Sequence, residues 1–95
     1  MVHAFATLLA RADAVDVTRE ALAALVAPSR AEAGCEAYEL FQSADDPARF
    51  QTVERWASPE AVEAHLASAH VQAAFAAAGD LLAAAPVIQS FTRIA

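Results

Sequence analysis

A strand followed by a helix can be recognised in RFQTVERWASPEAVEAHL, residues 49–66. In its first half, aromatic and β-branched residues are interspersed with charged ones over eight positions, which is typical of a half-buried strand from Arg49 to Trp56. Side chains two positions apart lie on the same face of a strand. One face of this strand therefore carries Phe50, Thr52, Glu54 and Trp56.

The second half of this stretch begins a helix. Ser58, Pro59 and Glu60 supply a capping hydroxyl, a proline at the first helical position and an acid in the first turn. Val62 and Leu66 then share one helix face. We expect Ser68 to cap a second helical piece that passes through Gly79, and Pro86 to open a last strand. That second piece carries Val71, Phe75 and Leu82, and the last strand runs from Val87 to Ile94.

Two strands and a helix precede this stretch. Val2 to Leu9 is short and apolar and is predicted to be a buried strand, and Cys35 to Gln42 is predicted to be a second one. The turn residues from Ser43 to Pro47 join the second strand to the third. Between the first two strands, Asp13 and Asp16 are candidate N-caps of a helix. Its apolar face carries Val17, Leu22, Leu25 and Val26; Pro28 should kink or end its first part, and Gly34 should stop it.

The predicted order is β-α-β-β-α-β, which indicates one α+β domain over residues 1–95 with a ferredoxin-like antiparallel sheet. Both helices then cover one sheet face, and the other face should be polar. It is not. In the last strand Val87, Gln89 and Phe91 oppose Ile88, Ser90 and Ile94, so neither side is clearly polar. A sheet that is apolar on both faces predicts a two-fold dimer through its helix-free face.

Composition limits the possible partners. The chain has 95 residues and is 58% hydrophobic, but 28 residues are alanine, which buries little surface, so the core is thin for a monomer. A net charge of −6 disfavours nucleic acid and anionic membranes. Cys35 is the single cysteine, so no disulfide forms within the chain. Without a recognisable targeting or membrane-spanning segment, a cytoplasmic location is expected by default.

Three segments carry a resemblance when they are taken together and in order. They are SRAEAGCEAYEL (29–40), FQTVERW (50–56) with its Glu-x-Trp ending, and SPEAVEAHLASAH (58–70) with its His-Leu-x-x-x-His ending. Pro86-Val87 fits the start of the final strand. The ordered set spans essentially the whole chain and resembles the antibiotic biosynthesis monooxygenase family.

The resemblance implies a homodimer whose two sheets pack face to face, with a pocket in each subunit between sheet and helices. Relatives include cofactor-free oxygenases of polyketide phenols, quinol monooxygenases and haem-degrading enzymes. The chain departs from two of these groups, because it contains no asparagine, which the phenol-oxidising and haem-degrading members use in catalysis. Phe75 also stands where the haem degraders carry their iron-binding histidine. Despite these departures, the resemblance implies a cofactor-independent oxidation of a small phenol, quinol or polyketide-like aromatic compound.

Several residues could carry this chemistry. Trp56 matches a tryptophan in the pockets of relatives, although a core aromatic residue would explain it equally well. Glu54 shares its strand face, and an acid in an apolar pocket can accept a phenol proton. A salt bridge between Glu54 and an arginine is the alternative. Tyr38, Thr52 and Phe75 are candidate substrate contacts.

The histidines are candidates for two roles, a proton carrier and a set of metal ligands. His65 matches a histidine of the quinol-oxidising relatives and is a candidate proton shuttle, or else a partly buried structural residue. His70 follows five positions later, about 140° away around a continuous helix. The two would not face a common ion unless the helix breaks near Ser68. We therefore expect no bound metal or haem, and the family resemblance implies no bound flavin either.

The sequence leaves other functions open. A non-catalytic, ligand-binding or regulatory dimer of the same fold would explain the missing asparagine. An isomerase or lactonase on the same barrel is a third possibility. None of these activities requires a compulsory short motif, so the sequence does not separate them.

Overall fold

The computed structural model describes all 95 residues. Its four strands form one antiparallel sheet in the order β2-β3-β1-β4. The elements are β1 (Val2–Leu9), α1 (Val15–Ala23), α2 (Val26–Arg30), β2 (Cys35–Gln42), β3 (Arg49–Trp56), α3 (Pro59–Ala67), α4 (Ala69–Ala78) and β4 (Val87–Phe91). The predicted ferredoxin-like β-α-β-β-α-β fold is confirmed, with each helical connection in two pieces. No helix has the length and apolar character needed to span a membrane.

The first helical connection differs from the prediction at its start. The N-cap of α1 is Ala14, with no side-chain capping bond, so the prediction of Asp13 or Asp16 as the cap is wrong. Asp16 lies inside the first turn instead, and Asp13 pairs with Arg11 at 3.1 Å. The cap position is itself buried, which leaves an alanine there better accommodated than an ionised aspartate.

Pro28 breaks the helix about one turn before its own position in the chain. The helix breaks at Ala24 and Leu25, and Pro28 lies inside the short α2. A proline lacks the N–H and crowds the carbonyl four residues before it, which here belongs to Ala24. The break therefore falls where that carbonyl would otherwise be engaged, as the predicted kink requires.

The second helical connection follows the predicted serine caps. The Ser58 hydroxyl accepts a hydrogen bond from the Ala61 N–H at 3.2 Å, and the Ser68 hydroxyl accepts one from the Val71 N–H at 3.4 Å. Two predicted ends are wrong. The helix α4 stops at Ala78, so Leu82 lies beyond it and forms an isolated bridge with Ala10, just after β1, and β4 ends at Phe91.

Gly34 forms the corner between α2 and β2. Its φ of +83° is a conformation that residues with a side chain rarely adopt, and a Cβ there would lie 2.8 Å from the Cβ of Ala61. Its carbonyl accepts a hydrogen bond from the Ala57 N–H at 2.8 Å. The glycine therefore lets the start of β2 approach α3 closely.

The core lies between the helices and one face of the sheet. The larger cluster packs Leu8, Ala10, Leu22, Leu25, Phe50 and Val71, and the smaller one packs Ala4, Tyr38 and Trp56. The helix-free face exposes Leu9, Phe41, Val87 and Phe91. The rings of Phe5 and Phe91 meet edge to face there, at 5.5 Å between centroids.

Candidate functional site

A buried carboxylate, Glu54, is the centre of the smaller core cluster. The Trp56 indole N–H donates to its Oε1 at 3.0 Å, and the Thr52 hydroxyl donates to its Oε2. Thr52 Oγ1 in turn accepts a hydrogen bond from the Ala6 N–H at 3.0 Å. The alternation of β3 places these three side chains on the helix-covered face, as predicted. No arginine pairs with Glu54, so that alternative is wrong.

His65, on α3, is held against this carboxylate. Its side chain is 6% exposed, its ring stacks 4.6 Å from Trp56, and its Nε2 lies 3.9 Å from Glu54 Oε1. Its Nδ1 lies 2.5 Å from Glu32 Oε2. An ionised carboxylate can only accept hydrogen bonds, so Nδ1 is the donor to Glu32. In the neutral imidazole Nε2 is then left as an acceptor.

Glu32 and His70 complete the group, and sequence reasoning did not place either of them in the site. Glu32 lies in the turn between α2 and β2, and its Oε2 also contacts His70 Nε2 at 2.9 Å. The clue for His70 was its spacing from His65, together with the possible break at Ser68. Glu32 had no comparable clue, because it follows no strand or helix periodicity and only the Gly34 corner brings it to α3.

The result is a row of four titratable side chains that runs from the core outwards: Glu54, His65, Glu32 and His70. Exposed side-chain fractions rise from 6% at Glu54 and His65 to 15% at Glu32 and 26% at His70. Such a row can hold a proton at several atoms or exchange it with solvent at the His70 end. His3 is not part of it, since it lies on β1 and faces the helix-free side.

A small apolar cavity of about 40 Å³ adjoins the inner end of this row. Five of the predicted site residues line it: Tyr38, Thr52, Glu54, His65 and Phe75. Trp56 does not line it, because its ring lies behind His65 and is fully buried. The expected contact between Trp56 and a substrate ring is therefore absent from this conformation, and Trp56 supports Glu54 and His65 instead.

The cavity is smaller than a ligand pocket, which usually measures roughly 300–1,000 Å³. It has room for water, which needs only about 10–15 Å³. Two of its lining residues, Phe75 and Ile88, also line an open groove of about 540 Å³ between α4 and β4. Movement of these two side chains would connect the groove to the cavity and give an aromatic ligand a route into it.

Two further titratable groups border the site. Burial, and then the negative charge of Glu54, raise the pKa of the Tyr38 phenol, so it remains a hydrogen-bond donor at neutral pH. Burial, followed by the charges of Glu32 and Glu54, raises the pKa of the Cys35 thiol. Cys35 therefore stays a thiol at neutral pH, which disfavours a role as a nucleophile.

Comparisons with known proteins match this arrangement of elements. The family model described as antibiotic biosynthesis monooxygenase matches residues 1–77. A Mycobacterium tuberculosis protein named "Putative monooxygenase Rv0793" is 37% identical over 81 residues, which are 85% of this chain and 79% of that protein. Its solved structure gives a TM-score of 0.92 at 32% identity and covers 99% of this chain and 95% of its own.

A second solved structure is similar to the same degree. PA3566 from Pseudomonas aeruginosa gives a TM-score of 0.92 at 34% identity and covers 99% of this chain and 94% of its own. A Nitrosomonas europaea protein titled "Putative antibiotic biosynthesis monooxygenase" gives a TM-score of 0.94 over the full length of both chains. At 23% identity, this last likeness shows the fold alone.

Proposed function

The chain belongs to the antibiotic biosynthesis monooxygenase family, and from this membership we propose that it oxidises a small phenol, quinol or polyketide-like aromatic compound without a bound cofactor. The observation that carries the proposal is His65, which is oriented by one carboxylate, faces a second one and borders an apolar cavity. These are the parts that deprotonation of a buried phenol requires.

His65 is the proposed base. Glu32 accepts the Nδ1 hydrogen bond, and this fixes the ring and leaves the Nε2 lone pair on the side of Glu54 and the cavity. Glu54 is less suited to the role, since both of its oxygens already accept hydrogen bonds, from Trp56 and Thr52. Its charge, 3.9 Å from Nε2, would instead stabilise the imidazolium that forms when His65 takes the phenolic proton.

Deprotonation is the contribution that the protein makes to the oxidation. A phenolate gives up an electron to oxygen far more readily than a phenol does. The substrate itself supplies the electrons that reduce dioxygen: one oxygen atom enters the substrate and the other leaves as water. A quinol would thus become a hydroxyquinone, and no external reductant is consumed.

Oxygen consumption with a panel of quinols and anthrones tests the proposal. Proton transfer by a positioned side chain contributes about 10²–10⁴-fold, so we expect His65→Ala to lower kcat by that factor. Glu32→Gln should lower kcat less. The amide oxygen can still accept the Nδ1 hydrogen bond and hold the ring, but the negative charge of the carboxylate is lost. The control is Glu63→Gln, which makes the same carboxylate-to-amide change at an exposed position of α3.

Two outcomes contradict different parts of the proposal. If no compound of the panel drives oxygen consumption, the proposed function fails. If oxygen is consumed but His65→Ala is as fast as the unmodified protein, the function stands and the assignment of the base is wrong. Glu54→Ala would then be the next variant to measure.

A non-catalytic ligand-binding or regulatory role is the second candidate. The observation that favours it is the cavity of about 40 Å³, which is too small for an aromatic ring without movement of Phe75 and Ile88. Equilibrium binding of the same compounds, without turnover, would support it. We expect Phe75→Ala to accelerate entry under either function, since it widens the connection to the groove.

The proposed active form is a homodimer. Only 16 of 95 residues are buried in the single chain, and the helix-free face exposes Leu9, Phe41, Val87 and Phe91. Packing two such faces together would remove this apolar area from water. Sedimentation at micromolar concentration should give a dimer, and Phe91→Glu should give a monomer. Val17→Glu, on the exposed side of α1, should leave the dimer intact.

A further inference from the structure

The three outer residues of the titratable row each offer a donor atom of a kind that binds transition metals. Glu32 Oε2, His65 Nδ1 and His70 Nε2 all lie within 4.8 Å of one another. They come from three different parts of the chain: the turn before β2, the end of α3 and the start of α4. We refer to these three residues as the Glu32–His65–His70 cluster.

A break in the helix brings the two histidines together. Ser68 has a ψ of 153°, which separates α3 from α4. Its hydroxyl donates to the His65 carbonyl at 2.6 Å and accepts from the Val71 N–H, so it closes one helix and starts the next. The two imidazole centroids are consequently 6.0 Å apart. The helix does break at Ser68, which is the condition under which the sequence allows the two histidines to face a common ion.

The charges around the cluster are unbalanced. Glu32 and Glu54 are both largely buried, and neither lies within ion-pair distance of an arginine. The nearest candidate, Arg30, uses its Nε–H to donate to the Tyr38 carbonyl at 3.0 Å. With neutral imidazoles the four residues of the row carry two negative charges and no positive one. A buried charge must be compensated, and either two protons or one dication would compensate these.

We propose that the Glu32–His65–His70 cluster binds one divalent transition-metal ion, with zinc as the probe of choice. Two imidazoles and a carboxylate suit Zn²⁺ and its neighbours in the series. Three protein ligands leave a position for water, as in open zinc sites. The ion takes the place of the two N–H groups that now join Glu32 to the imidazoles, and each neutral ring then carries its single proton on the nitrogen that does not bind the ion.

A carboxylate lies on the side of His65 that faces away from the proposed ion. A histidine that binds a metal through one nitrogen usually donates its other N–H to a carboxylate. Here His65 Nε2 lies 3.9 Å from Glu54 Oε1, and Trp56 and Thr52 hold that carboxylate in place. The ion would sit where His70 is partly open to solvent, so a route for its entry exists.

Binding has a consequence for the proposed oxidation. A metal on Nδ1 requires the single proton of the neutral His65 ring to lie on Nε2, the nitrogen that faces Glu54. His65 can then no longer accept a phenolic proton, and the metal-loaded protein should lose the activity assigned to this base. This consequence rests on the proposed function, whereas metal binding itself does not.

Calorimetric titration of the tag-free, metal-stripped protein with Zn²⁺ tests the site. We expect a saturable isotherm with one ion per chain. The emission of Trp56, the only tryptophan, gives a second readout because its ring is 4.6 Å from His65. Glu54→Gln should weaken binding by about 10–100-fold, as is usual for outer-contact variants.

Variants of the ligands decide the result. His70→Ala and Glu32→Gln should weaken Zn²⁺ binding by more than Glu54→Gln does. The matched control is His3→Ala, which removes a histidine outside the cluster and should bind as the unmodified protein does. Because His65 is buried, His70→Ala is the primary variant, and its circular dichroism and melting temperature should be unchanged without metal.

Three results would overturn the inference: no saturable Zn²⁺ binding, binding that His70→Ala and Glu32→Gln leave unchanged, or binding that His3→Ala abolishes. If no saturable Zn²⁺ binding is found, the three residues interact with one another only through hydrogen bonds. None of these results bears on oxygen consumption, so the metal site and the proposed function can fail independently.

Discussion

The two ends of the helix-covered sheet face are built from the same strands but differ in chemistry. At one end Leu8, Leu22 and Phe50 pack in a wholly apolar cluster. The other end begins two positions along β3 from Phe50. Its buried polar residues are Thr52 and Glu54 on β3 and His65 on α3, and they lie around Tyr38 and Trp56. The first end uses its buried area for stability. The second end places a charge out of water, which costs stability and which proteins retain where it serves a function.

The largest expected difference between the two ends is in their effect on folding. Phe50 is 1% exposed, so Phe50→Ala should lower the free energy of unfolding by about 3–5 kcal/mol. Glu54→Gln keeps the shape of the side chain and removes a buried charge, so we expect a change of less than about 1.5 kcal/mol. Urea denaturation followed by circular dichroism measures both.

The same pair of variants should behave in the opposite way in assays of function. Glu54→Gln should impair oxygen consumption and metal binding, whereas the fraction of Phe50→Ala that remains folded should keep both. If Glu54→Gln destabilises the chain as much as Phe50→Ala does, then Glu54 is a structural residue, and the contrast between the two ends disappears.

The apolar end could be predicted from the sequence, and the polar end only in part. The alternation in β3 and the serine caps gave the strand faces and the helix starts, because these depend on neighbours a few residues away. Tyr38, Glu54 and His65, three of the candidate site residues, line one cavity. Glu32 was not, because its contact with His65 joins residues 33 positions apart and depends on the backbone conformation at Gly34.

The helix-break residues show the same limit. The sequence predicts Ser68 as a cap. Whether the helix breaks there or continues past it depends on packing against the sheet. The caps of α1 were predicted wrongly for a related reason, since burial of Ala14 outweighed the local preference for aspartate. Local preferences therefore predict where an element can end, and tertiary packing decides whether it does.

A smaller effect, confined to the polar end, appears at alkaline pH. The folded chain raises the pKa of Tyr38, so the unfolded chain loses this proton first as the pH rises. The stability linked to this proton is complete below about pH 10 and is lost above it, at a slope of up to roughly 1.4 kcal/mol per pH unit. Tyr38→Phe should remove this slope.

The chain contains one tyrosine, so the absorbance of the tyrosinate reports on Tyr38 alone. The folded protein should show this band only at a higher pH than the urea-unfolded chain does. Phe50→Ala, at the apolar end, should lower stability equally across this pH range. A tyrosinate band that titrates at the same pH in both states would contradict the burial of Tyr38 next to a charged Glu54.

The smallest effect concerns the reactivity of Cys35, which lies at the edge of the polar end and is partly exposed. The thiolate is the reactive form, and burial together with the charges of Glu32 and Glu54 keeps the sulfur protonated. A disulfide reagent should therefore modify the folded chain more slowly than the unfolded chain at neutral pH.

Glu32→Gln removes one of the two charges and should accelerate the reaction, while Glu36→Gln, which makes the same change on the exposed neighbour, should not. Equal acceleration by both variants would mean that Cys35 responds to the net charge of the chain rather than to the carboxylates of the site. Zn²⁺ should also accelerate the reaction if the proposed ion binds, because a dication beside Glu32 offsets the charge that raises the pKa of the thiol.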